Sequence, residues 1–196
     1  MPARTLQFVQ GEYYHIYNRG AARQPILRKE TNYLFVLRRM QQIAAGNQIT
    51  VIAYCLMLNH YHWLVRQDGE QPAGLLPQHV FNSYTKAYNK MYERTGTLFE
   101  ARFKAKHIAS HEYLLHLCRY IHANPVKDGI VSNIVEWPYS NYHEWIGERS
   151  GRLVDQAFIT AMFPDRSGYA KFVRDYIVQR CLPNRLERYL ATLENE

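Results

Sequence analysis

The spacing with the clearest chemical content in this 196-residue chain is His60-Tyr61-His62, inside Leu56-Met57-Leu58-Asn59-His60-Tyr61-His62-Trp63-Leu64-Val65. Side chains two apart on a strand share a face, so both imidazoles point one way while Tyr61, Trp63 and Val65 point the other. Such a pair is ready for a metal ion, but it is equally compatible with solvated or hydrogen-bonded polar positions. More donors are needed to decide. The segment after Ser110 offers them: Leu114, Leu117, Cys118 and Ile121 recur at i, i+3, i+4 and i+7, the pattern of a helix packed along one stripe. At roughly 100° per residue, His116, Tyr120 and Asn124 form a polar row to one side of that stripe. If the row meets the histidines, two imidazoles and an amide oxygen make a neutral donor set with open positions. That set suits a hard divalent cation able to hold a phosphate oxygen as well, Mg²⁺ or Mn²⁺. A structural zinc would want a fourth ligand, usually Cys.

The elements that must position these groups follow from patterning. Tyr13 to Asn18 reads as a strand, with Asn18-Arg19-Gly20 as its turn. Thr31 to Ala45 reads as a helix stopped at Gly46-Asn47. Gln48 to Met57 is apolar on both faces, which predicts a central strand. His60 to Gln67 is its hairpin neighbour through Leu58-Asn59. A second helix spans Leu75 to Tyr92, and Thr97 to Ala109 reads as a strand. A third helix is N-capped by Ser110, carries Glu112 in its first turn, and ends at Pro125. The order strand, helix, strand, strand, helix, strand predicts an α+β fold: a ferredoxin-like split βαβ antiparallel sheet with helices on one face and the Tyr120 helix on the other. Residues 1–150 form the main domain. An irregular excursion covers Val126 to Pro138. Shorter helical stretches follow at Tyr139 to Trp145, Val154 to Phe163, Tyr169 to Cys181 and Asn184 to Leu193, so that 151–196 reads as a helical extension.

Composition narrows the class. The chain carries 24 basic against 17 acidic residues, a net charge of +7, and 16 tyrosines. Cations for phosphates beside flat rings for unstacked bases are what a nucleic-acid groove needs, although a basic surface and a Tyr-rich core give the same totals. Cys55, Cys118 and Cys181 are odd in number and form no Cys-x-x-Cys, which points to a reducing compartment. The first residues lack the apolar core of a secretory signal and no run is long enough to span a bilayer, so a bacterial cytoplasmic location is expected. Arg102, Lys104 and Lys106 alternate on one predicted strand, as phosphate contacts or as a solvated face. Tyr84, Tyr88 and Tyr92, at i, i+4 and i+8, read as packing. His107, His111, His122 and His143 read as polar surface or as positions behind the site. No acidic triplet of the two-metal nuclease kind stands out.

Taken together, these motifs resemble a family. The His60-Tyr61-His62 run, Gly96-Thr97-Leu98-Phe99-Glu100-Ala101-Arg102-Phe103-Lys104, Tyr120-Ile121-His122-Ala123-Asn124-Pro125-Val126-Lys127, Gly129, Trp137-Pro138-Tyr139-Ser140 and Asn18-Arg19-Gly20 occur in the order found in REP-associated tyrosine transposases. These are single-tyrosine HUH nucleases related to the smallest insertion-sequence transposases. The resemblance covers residues 13 to about 143. It implies that His60 and His62 are metal ligands, Tyr120 is the nucleophile and Asn124 is the third ligand, where related insertion-sequence enzymes have Gln. Leu58 departs from the Pro common in the family. Arg19 and Lys127 are implied as DNA contacts by motif position. The implied reaction is metal-assisted transesterification on hairpin-bearing, REP-like single-stranded DNA through a 5′-phosphotyrosine, by a monomer or a homodimer. Two alternatives stay open: a domesticated hairpin-binding protein without catalysis, and a metal phosphodiesterase that uses water in place of Tyr120.

Overall fold

A computed structural model describes residues 6–179 and 187–191. Its centre is a four-stranded antiparallel sheet of β1 (Tyr13–Arg19), β2 (Ile49–Leu56), β3 (His60–Gln67) and β4 (Lys104–Ile108), in the order β2-β3-β1-β4. The split βαβ topology is therefore as the element order implies. Helices α1 (Glu30–Gly46) and α2 (Leu75–Met91) cover one face. There Phe81 of α2 stacks on Tyr61 at 4.4 Å and on Trp63 at 5.2 Å between ring centres. Helix α3 (His111–Lys127) crosses the opposite face, the face of His60, His62 and Leu64. Tyr84 and Tyr88 of α2 donate to the Ile26 and Pro25 carbonyls, and the Tyr92 hydroxyl to Asn32, so the tyrosine row is packing that ties α2 to the chain entering α1. Gly20 is required where it stands: a Cβ there would collide with the Gln24 carbonyl as the chain leaves β1.

Four expectations are corrected. First, β2 is an edge strand and not a central one. It is apolar on both faces because α1 and α3 sandwich it, and its open edge is sealed by the segment around Trp137 to Trp145. The Leu56 N–H donates to Tyr139 O at 2.9 Å, Trp137 Nε1 to Leu56 O at 3.1 Å, and Trp145 Nε1 to Ile52 O at 3.0 Å. Asn141 imitates a strand within this seal, accepting from Tyr54 N at 2.7 Å and donating to Ile52 O at 2.8 Å. An uncovered edge would be a template for aggregation. The predicted helix from Tyr139 shrinks accordingly to α4 (Tyr142–Trp145).

Second, the strand expected from Thr97 begins only at Lys104. Leu98 is buried and Phe99 lies 4.9 Å from the Phe81 ring, so two adjacent side chains turn inward and break the alternation a strand needs. Third, Pro125 lies inside α3 and does not end it. A proline there removes the N–H that the Ile121 carbonyl would accept. The Asn124 side-chain amide stands in, 3.5 Å from Ile121 O and 2.8 Å from Tyr120 O. Fourth, His122 is a core residue, fully buried, with Nδ1 2.5 Å from the Tyr169 hydroxyl and Nε2 2.8 Å from Asn141 Oδ1.

Helix α5 (Gln156–Met162), N-capped by Asp155, sets Phe158 against Tyr13 and Trp145, and α6 (Arg166–Gln179) packs on α3. Arg119 of α3 lies 4.3 Å from the Phe172 ring centre, and Trp145 stacks on Tyr169 at 4.4 Å. Residues 187–191 are helical. Cys181, the end of the stretch expected to reach it, and half of the Asn184 to Leu193 stretch lie outside the described residues. Among the described residues no helix is long and apolar enough to cross a membrane.

Asn141→Ala leaves the Tyr54 N–H and a His122 nitrogen without partners in the interior. Urea unfolding should therefore show a loss of roughly 2–4 kcal/mol, the cost of stranding two buried polar groups. A loss under 0.5 kcal/mol would mean that Asn141 does not hold the edge.

Candidate active site

Register places the site. Across β3, β1 and β4, His62 stands opposite Tyr17, and Tyr17 opposite Lys104; one step along, His60 faces Arg19. Directly opposed residues share a face of the sheet, so these five side chains converge under α3. They border a cavity of about 450 Å³ whose wall also includes Asn59, Tyr120, Asn124, Lys127 and Asp128. Of the sequence candidates, Arg19, His60, His62, Lys104, Tyr120, Asn124 and Lys127 are thus brought together. Arg102 borders a neighbouring crevice with Phe99 and Phe103, while Lys106 sits over the Tyr189 ring, 3.6 Å from its centre. His116, expected in one row with Tyr120, instead meets Phe172 of α6 at 5.5 Å, because α6 docks on that flank of α3.

The imidazoles are prepared as neutral donors. His60 Nδ1 is 2.7 Å from Asn59 Oδ1, and His62 Nδ1 is 3.0 Å from His15 Nε2. Each ring has Nδ1 engaged from behind, so Nε2 is the nitrogen on the cavity side. Burial drives the His60 pKa down to about 4, assisted by the charges of Arg19 and Lys127 and opposed by its hydrogen bond with Asn124. Burial likewise pushes His62 well below its ordinary value, as do its two histidine neighbours. Neutral imidazole is the form a metal binds. Among the described residues no three His, Cys, Asp or Glu side chains form a cage by themselves. The donor set fits a cation only when completed by an amide oxygen, and Asn124 has its nitrogen committed to the Tyr120 carbonyl. Asp128 Oδ2, 3.8 Å from His60 Nε2, puts a carboxylate beside the same position. Two imidazole nitrogens, one amide oxygen and a nearby carboxylate make an open mixed N/O set, which can take a divalent cation while leaving positions for substrate oxygens and lacks the closed fourth ligand of a structural zinc site.

Tyr120 stands beside His62 with ring centres 5.7 Å apart in an edge-on arrangement, and Lys127 Nζ lies 5.0 Å from its ring centre. It is 3% exposed, yet on the cavity wall. Burial raises its pKa, as do Tyr176 and Asp128, against the lowering influence of Asn124 and Arg19. The phenol is therefore protonated at neutral pH.

Sequence reasoning missed His15, Tyr17, Asn59 and Asp128. The first two had a signal: His15 and Tyr17 alternate on β1 as His60 and His62 do on β3. Asp128 lies one position beyond the motif that contains Lys127.

Comparison with known proteins bears on the family and the fold. The family model described as "Transposase IS200 like" matches residues 8–124. A Haemophilus influenzae protein whose name places it among REP-associated tyrosine transposases is 24% identical over 102 residues, 47% of this chain. The match spans 58% of that relative's length. A solved structure of a REP-associated tyrosine transposase bound to a REP hairpin superposes with a TM-score of 0.61 at 17% identity, covering 79% of this chain and 94% of the other. At that identity the likeness is one of fold.

Followed by NMR, the His60 ring should remain neutral until the pH falls to about 4. A midpoint at the ordinary 6.5 would show a solvated ring and contradict the buried geometry.

Proposed function

This chain belongs to the IS200-like transposase family, and we propose that it cuts and rejoins hairpin-bearing single-stranded DNA through Tyr120. The observation that carries the reading is the meeting of the Tyr120 phenol with His60, His62 and Asn124 around one cavity lined by cations. His60, His62 and Asn124 would hold Mg²⁺ or Mn²⁺. When bound, the ion supplies polarisation of a non-bridging oxygen of the scissile phosphate.

The chain's own residues do the rest. Arg19, Lys104 and Lys127 attract and seat the phosphodiester backbone. The Tyr120 oxygen attacks phosphorus and the bond to the 3′-oxygen breaks, so the phenolic proton is lost and the departing oxygen leaves as a 3′-hydroxyl. The product is a 5′-phosphotyrosine, which stores the energy of the broken bond for rejoining to another 3′-hydroxyl. Lys127, over the Tyr120 ring, and Arg19 stabilise negative charge as it develops on the phenol. Burial holds the phenol neutral until substrate arrives, which limits idle reactivity.

Incubation with labelled hairpin DNA and Mg²⁺ or Mn²⁺ should give a denaturation-resistant adduct that Tyr120→Phe abolishes. Cleavage surviving that substitution would transfer the reaction to water, and retention of DNA with no cleavage by the unaltered protein would leave a binding protein. His60→Ala should abolish cleavage while hairpin affinity stays within a few-fold. Lys127→Ala should weaken binding and flatten the slope of log K against log salt by about 0.7, the counterion release of one phosphate contact on a single strand; an unchanged slope would place Lys127 off the DNA path.

A further inference from the structure

Behind His62 runs a line of hydrogen bonds that the reaction above does not use. His15 on β1 is fully buried. Its Nε2 lies 3.0 Å from His62 Nδ1, and its Nδ1 lies 2.6 Å from the Tyr189 hydroxyl. Tyr189 comes from the helical residues 187–191, is itself buried, and is held from its other side by the Lys106 ammonium. The Tyr189 hydroxyl also hydrogen-bonds that of Tyr17, a wall residue of the cavity. Two polarities satisfy these distances, one with Tyr189 donating to Tyr17 and one reversed; reading His62 as a ligand through Nε2 selects the first.

That polarity has consequences down the line. A neutral imidazole has one donor and one acceptor nitrogen, so fixing the first proton fixes the others. With its proton given to Tyr17, the Tyr189 oxygen accepts from His15 Nδ1–H. His15 Nε2 is then an acceptor and takes the Nδ1–H of His62. The lone pair of His62 Nε2 is left for the cavity. The opposite polarity would place a proton on His62 Nε2, where no cation could bind.

We propose that the Tyr17–Tyr189–His15 line fixes the tautomer and ring orientation of His62, making His15 and Tyr189 positioning residues for the divalent cation. The proposal rests on the reading of His62 as a ligand, and no proton has to move for it to operate. Ligating histidines generally donate their second N–H to a partner, and loss of such a partner lowers metal affinity by about 10–100-fold.

Imidazole ¹⁵N shifts measured on the full chain without metal should show His62 in its Nδ1–H form. Tyr189→Phe keeps the ring but removes the accepting oxygen, and it should move His62 toward Nε2–H and lower Mn²⁺ affinity by calorimetry about tenfold. His15→Gln, whose amide oxygen can still accept from His62, should retain more Mn²⁺ affinity than His15→Phe. Should Tyr189→Phe fold poorly, Tyr17→Phe removes only the acceptor at the cavity end and should give the same tautomer shift. An Nε2–H His62 in the unaltered protein, or equal Mn²⁺ affinity in the unaltered protein and Tyr189→Phe, overturns the proposal. If the unaltered protein binds no Mn²⁺ while the tautomer shifts as described, the ligand reading falls and the control of the tautomer stands.

Discussion

Burying an imidazole strips water from two polar nitrogens, and the cost is recovered only if each finds a partner. His62 is 5% exposed and takes one partner from His15, leaving its second nitrogen toward the cavity. His60 is bonded to both Asn59 and Asn124. The molecule therefore holds two rings that are neutral and oriented toward one cavity, and much of the fold serves to keep them so. The antiparallel register of β1 and β3 brings Tyr17 and Arg19 opposite the two rings, and the diagonal from His62 reaches His15. A slip of one residue in that register would turn both histidines into the aromatic layer under α2. The stacking of Tyr61 and Trp63 on Phe81 opposes such a slip.

The phenol depends on a helix that runs through its proline. Ending α3 before Pro125 would leave Asn124 and Lys127 outside the helix and free to point elsewhere. Instead Asn124 uses its amide nitrogen to bond the Tyr120 carbonyl and approach the carbonyl orphaned by Pro125. One side chain thus repairs the backbone and is oriented by that repair toward His60. After the helix, Gly129 adopts a positive φ of 68°, which few side chains tolerate, and the Ile130 and Val131 N–H groups return to the Pro125 carbonyl. The turn keeps Asp128 beside His60.

What was legible in the sequence was local and periodic. The alternation from His60 to Gln67 and the stripe from Leu114 to Ile121 each named an element and its faces, and the element order named the topology. What failed depended on partners far along the chain. β2 looked central because apolarity reports covered faces and says nothing about an edge, and that edge is closed by Trp137, Asn141 and Trp145, more than 80 residues away. Pro125 looked like a stop because the propensity rule does not see a neighbouring amide. His122 read as polar surface or as a position behind the site because its partners, Tyr169 and Asn141, lie 47 and 19 residues distant. The cavity residues Arg19, Lys104 and Lys127 were reachable through motif order and strand alternation, whereas Tyr189 had no such route to the site.

The segment after residue 150 carried no recognisable motif, yet its side chains bear on the chemistry. Tyr176 of α6 raises the pKa of the Tyr120 phenol, and Tyr189 is bonded to His15. In the proposed reaction, a phenol buried in this way is a poor nucleophile at rest, since its anion would have to form in a medium that solvates it weakly. The same exclusion of water strengthens any cation that then meets the oxygen. Lys127 and Arg19 stand, in the proposed reaction, where that charge would develop, beside a cavity wall whose anionic members, among the described residues, are Asp128 and Glu100. The extension thus reaches the site through two phenols, Tyr176 electrostatically at Tyr120 and Tyr189 by its bond to His15.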